Sequence, residues 1–218
     1  MHSPLSVRMV TCNPGPKPRM NSNTQRATLF ALLAVLMVTT RFNLPASITH
    51  FGPLPDASWA VFFMGGFYLR RWTAWAFPAL MGLAVLVDYA VITGQGINFW
   101  AHYCTSAAYW FLLPAYFSLW LGGMLLRRHY TGTDGRTLSV LVASLIGAVL
   151  ACQLLSQGSF YWLSDSVVDP TLFGWWKNFS DWLLPYLGTT AIYVGLGVIV
   201  HVGALQLARP QTRTGSQH

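Results

Sequence analysis

The stretch RRWTAWAFPALMGLAVLVDYAVITGQG, Arg70–Gly96, decides how the whole chain is read. Two arginines are followed by an apolar run, Trp72–Thr93, long enough to cross a bilayer. A single acid, Asp88, interrupts the run, and Gly94 and Gly96 turn the chain at its far end. A run of this length flanked by basic residues on one side reads as a transmembrane helix.

Working outward, the same grammar repeats. Upstream lie short apolar runs, Ala27–Thr40 and Ala57–Leu69, joined by a loop carrying Pro45, Pro53 and Pro55. Fourteen residues of helix reach only ~21 Å against a hydrocarbon core of ~30 Å, so both short segments need neighbours to bury their ends. Downstream lie Phe99–Leu126, with a kink expected at Pro114, then Leu138–Gln157 and Trp182–Leu207. The expected architecture is an all-α integral membrane protein, a bundle of six transmembrane helices over residues 26–208. Residues 1–25 and 209–218 read as polar tails, the first of them disordered. No signal peptide is evident in the first tail.

The charges orient the bundle. Alternating the sides leaves only Arg41 and Lys177 of the 13 Lys and Arg on the outer face. That asymmetry predicts a multi-pass protein of the bacterial inner membrane with both termini in the cytoplasm. It also turns five of the six acids outward.

Composition agrees. Of 218 residues, 54% are hydrophobic, 15% aromatic and 9% charged, too little charge to cover a soluble domain. A net charge of +7 would suit a nucleic-acid binder, but the basic residues sit at helix ends and in short loops, so no nucleic-acid partner is expected; membrane lipid is. The absence of period-2 alternation excludes a β-barrel. No P-loop, G-x-S-x-G, H-E-x-x-H or C-x-x-C is present, so no nucleotide cofactor is expected.

Several residues could carry chemistry. Asp88 lies ~24 Å along its helix, where an acid costs about 2.5–3.5 kcal/mol and so faces a partner or a polar cavity. Cys104 lies near the outer start of the fourth segment, with small neighbours Ala107 and Ala108 over one face; a thiolate there suits a soft metal, including one held in a macrocycle. The competing reading is a cysteine that merely fills apolar space. His50, Asp56 and His102 complete an outer polar rim, and Tyr89 and Tyr109 could add hydrogen bonds. Cys152, among Leu, Ala and Val, reads as packing, although a bridge to Cys104 is open. The segment Gly158–Asp181 gathers seven aromatic residues and could form a lid over a large planar ligand. Ala27 and Ala31 offer a small-residue face for helix packing.

Taken together, the short helices, the aromatic outer loops and the Ala27/Ala31 pair resemble the S-components of ECF-type vitamin transporters. The stretch HYCTSAAYWFLLPAYFSL, His102–Leu119, resembles more specifically the BtuM-type proteins, solitary S-component-like members linked with cobalamin uptake in some Gram-negative bacteria. The resemblance implies that the chain binds cobalamin, as transported cargo, and carries it across the inner membrane. It implies Cys104 as axial ligand to the corrin cobalt and His50, Asp88 and Tyr109 as polar residues of the pocket. Thiolate ligation further implies decyanation of cyanocobalamin, with Cys104 as the reacting group. Docking on an ATP-driven ECF module would use Ala27 and Ala31. Two alternatives stay open: an S-component for a different vitamin, and a membrane metal-binding protein using His50, Asp88, His102 and Cys104.

Overall fold

The structure is a computed structural model and describes residues 23–42, 55–101, 107–164 and 167–207. Every regular element among them is helical. The α-helices are α1 (Asn23–Arg41), α2 (Ser58–Tyr68), α3 (Thr73–Gly94), α4 (Leu112–His129), α5 (Gly135–Leu163) and α6 (Leu172–Leu207). Short 3-10 turns precede α3 at Arg70–Trp72 and α4 at Ala107–Phe111, and another lies at Phe99–Ala101.

Four helical stretches are long and apolar enough to cross a membrane: Arg70–Gly94, Ala107–His129, Gly135–Leu163 and Leu172–Leu207. Among the described residues the protein is therefore all-helical, with four helices fit to span a bilayer. The other two differ. At 11 residues α2 covers only ~16 Å. It is apolar all round and almost wholly buried, as a helix enclosed by its neighbours must be.

That enclosure is the organising fact of the fold. Helix α2 touches α1, α3, α4, α5 and α6. Its closest approach to α4 is made at Gly66, with Gly123 the corresponding position on α4, while Gly65 makes room for the Trp120 ring. A Cβ at Gly66 would run into the backbone of Trp120, and one at Gly123 into the backbone of Phe63. Lipid chains are as apolar as leucine, so close backbone approach between small residues is what draws helices together here. Around this seam pack Phe62, Phe77, Tyr116 and Trp120. The Phe62 and Tyr116 rings stack at 4.7 Å, and Phe77 meets Trp120 edge-on at 5.6 Å. The indole N–H of buried Trp120 donates to Thr73 Oγ1 at 3.0 Å, which removes the cost of its polar atom.

Several boundaries differ from expectation for local reasons. Helix α1 reaches back to Asn23, into the stretch read as tail. In the fourth segment α4 begins at Leu112, directly after the 3-10 turn Ala107–Phe111, so Pro114 stands in the first turn of the α-helix, where proline is tolerated, rather than in its interior. The aromatic stretch after Gln157 is mostly helical, its first part ending α5 and its second opening α6 just after Pro170. Asp134 caps α5, accepting from the Thr137 backbone N–H at 2.8 Å and from Thr131 Oγ1 at 2.9 Å. Those bonds from Thr137 and Thr131 hold its carboxyl below the ordinary carboxylate range.

The bundle has two unlike ends. Arg26, Arg70, Arg71, Arg127, Arg128 and Arg136 share one, where Tyr130 Oη meets His201 Nε2 at 3.1 Å. Arg41, Asp56, Asp88 and Tyr109 share the other.

Candidate functional site

The site is built around Arg41, the last residue of α1, where a cation also suits the negative end of the helix dipole. Its side chain is only 12% exposed. Nη1 donates to Asp88 Oδ1 at 2.8 Å and to the Ala84 carbonyl at 3.1 Å, both on α3. Nη2 donates to Tyr116 Oη on α4 at 2.9 Å. Nε lies 3.5 Å from Asp56 Oδ2, in the segment leading into α2. One guanidinium therefore ties the end of α1 to three other parts of the chain, each by a charged or polar contact that would be costly to leave unmade.

The acids are held from their other sides. Asp88 Oδ2 accepts from Tyr109 Oη at 3.0 Å. Asp56 Oδ1 accepts from the backbone N–H and the hydroxyl of Ser58, at 2.9 and 2.6 Å, which fixes the entry to α2. Next to this, Thr40 Oγ1 accepts from the Ala57 N–H at 3.1 Å, joining the end of α1 to the start of α2. Two carboxylates share one arginine, and Asp88 remains 27% exposed. The arrangement is a rigid polar floor with acceptor capacity left over, suited to hold hydrogen-bond donors of a ligand.

Of the residues singled out in sequence, Asp88 and Tyr109 come together directly. Phe99 packs its ring 5.4 Å from Tyr89 and 6.3 Å from Tyr109, so described residues on both sides of the Cys104 stretch meet the end of α3. His50, His102 and Cys104 lie outside the described residues. Tyr89 is half exposed with its ring against Phe99. Cys152 is buried in α5 beside Tyr116, in agreement with packing. Lys177 pairs with Asp181 one turn along α6, at 2.6 Å. Among the described residues, no three His, Cys, Asp or Glu side chains cluster as a metal site would require. Ala27 and Ala31 lie on an exposed face of α1, opposite the buried Leu33, Met37 and Thr40.

No family model matches the chain, and no curated protein matches its sequence significantly. The site must be argued from its residues.

Two of those escaped sequence reasoning. Arg41 read only as a basic residue on the sparse side, yet an acid deep in a helix demands a partner and Arg41 is one of two bases at that end. Gln153, on α5 after Cys152, is wholly buried, and among the described residues neither its amide oxygen nor its nitrogen has a hydrogen-bond partner. An orphaned amide costs about 1–3 kcal/mol, which packing alone does not explain. The indole nitrogen of Trp175, at the start of α6, is orphaned in the same way. In sequence the signal was a lone glutamine between Cys152 and Leu154 in an otherwise apolar stretch.

Proposed function

We propose that this chain binds cobalamin at the Arg41 end of its bundle and carries it across the bacterial inner membrane, with the Cys104 thiolate as axial ligand to cobalt. In this reading the protein is a six-span, S-component-like bundle of the BtuM type with both termini in the cytoplasm. The observation that carries it is the pairing of Asp88 with Tyr109. The resemblance assigns both to the cargo pocket, and they meet at 3.0 Å although 21 residues apart.

The surrounding chemistry suits a large, polar-rimmed corrinoid. Its amide side chains are donors and acceptors, for which the partly exposed carboxylates of Asp88 and Asp56 are complementary. In the sequence Tyr109 and Phe99 are each five residues from Cys104, and on that ground the thiol is assigned to this end of the bundle. Bound cobalt favours the thiolate over the thiol and lowers its effective pKa. Thiolate donation weakens the bond across the metal, so an upper cyanide leaves with its bonding pair while cobalt keeps its oxidation state. The exposed Ala27 and Ala31 face supports docking of α1 on a partner module, since small residues let a second helix approach closely.

Visible absorbance of the purified protein with cobalamin tests the proposal. Sulfur ligation shifts the corrin bands, and Cys104→Ala abolishes the shift. A Cys104→Ala variant that binds cobalamin with the same shifted spectrum as the parent protein rules out the thiolate ligand.

A further inference from the structure

Between α4 and α5, toward the arginine-rich end, the surface opens into a groove of about 680 Å³. Its floor is the line of contact between the helices, where Gly122 lies so close to Ala148 that a side chain at 122 would strike the alanine methyl. Leu121 and Leu125, each about half exposed, form one wall, and Gly147 and Ala151 the other. From Ala143 to Ala151 the trough runs ~12 Å along α5. Arg70, Arg71 and Arg128 close one end of it.

The groove thus has an apolar zone and a cationic zone, in series along the membrane normal. All three arginines are exposed, and none is in an ion pair among the described residues. Among those residues the one acid at this end is Asp134, whose carboxylate is engaged by Thr131 and Thr137. The positive charge is therefore uncompensated at the level where the helices leave the hydrocarbon. Arginine forks match phosphate oxygens, and a free anion would have no use for the trough. The walls belong to two of the helices fit to cross the membrane, so the solvent that meets them is lipid.

We propose that this groove is a binding site for one anionic phospholipid, its phosphate held by Arg70, Arg71 and Arg128 and an acyl chain laid along the α4–α5 trough. The site stands on the shape and charge of the groove and is independent of the cargo.

Native mass spectrometry of the delipidated full chain, titrated with phosphatidylglycerol or with phosphatidylcholine of the same acyl chains, tests it. Phosphatidylglycerol binds at one equivalent and phosphatidylcholine does not. Arg70→Gln/Arg71→Gln/Arg128→Gln weakens binding on the order of a hundredfold, about fivefold per arginine. Gly147→Leu, whose side chain enters open space and fills the trough, weakens it with the arginines intact. Thermal unfolding in lipid-free detergent establishes that each variant is folded. Should the triple variant fail to fold, Arg128→Gln and Gly147→Leu carry the comparison. Equal retention of phosphatidylcholine, or an affinity unchanged in either folded variant, overturns the proposal. Displacement of the lipid by millimolar inorganic phosphate also overturns it, in favour of a free-anion site. So does extraction from membranes with a second polypeptide in place of the lipid, lost in the arginine variant.

Discussion

Arg41 and Asp88 are partners, yet their removal has unequal consequences. Arg41→Gln leaves Asp88 and Asp56 without their shared cation; with Asp56 41% and Asp88 27% exposed, solvent screens part of the loss, which comes to about 2 kcal/mol. Asp88→Asn keeps the shape, leaves Arg41 with Asp56 and Tyr116, and costs about 1 kcal/mol. Thermal unfolding in detergent should rank Arg41→Gln as the less stable variant. The double variant should lose less than the two single losses together; strict additivity would show that the pair is not coupled. Asp88 and Tyr109 were legible because an acid and a phenol in apolar helices are individually conspicuous. Arg41 and Gln153 were not, because their significance depends on which way α1 and α5 are turned about their axes, and a run of apolar letters does not encode that rotation.

At the scale of elements, the seam between α2 and α4 carries the fold. Gly123→Val places two methyl groups where the Phe63 backbone runs, and neither helix can withdraw without opening the core around Trp120. Size-exclusion chromatography after expression should show little or no monodisperse protein. Gly82→Ala is the control: nothing lies within 4 Å of the added Cβ on α3, and replacing glycine in a helix interior gains up to ~1 kcal/mol. Comparable loss from both would mean that helix propensity, not close approach, governs these glycines. The short apolar run that became α2 was legible from Ala57 and Arg70 on its flanks, as was its need for neighbours. The extent of α5 and α6 was not. The aromatic residues after Gln157 read as an outer segment, but the single Gly158 does not break α5, and the boundary falls at Ser164 and Pro170 instead.

For the whole molecule, the structure sharpens the charge asymmetry that sequence alone suggests. Arg41 is neutralised by Asp88 and Asp56, and Lys177 by Asp181, so the bases at their end carry little net charge. Arg70, Arg71 and Arg128 at the opposite end stand in no ion pair among the described residues. Basic residues close to membrane segments are retained on the cytoplasmic side. The end with Arg70, Arg71 and Arg128 should therefore face the cytoplasm, and the Asp88–Tyr109 floor the periplasm. Cysteines placed at exposed Gln95 and at exposed Thr133, in a chain lacking Cys12 and Cys104, report the two faces, with Cys152 left buried as an internal blank. A membrane-impermeant maleimide added to cells with a permeable outer membrane should modify Gln95→Cys at once and Thr133→Cys only after lysis. The reverse pattern would turn the Arg41 site toward the cytoplasm, where a carrier for uptake could release cargo but not capture it.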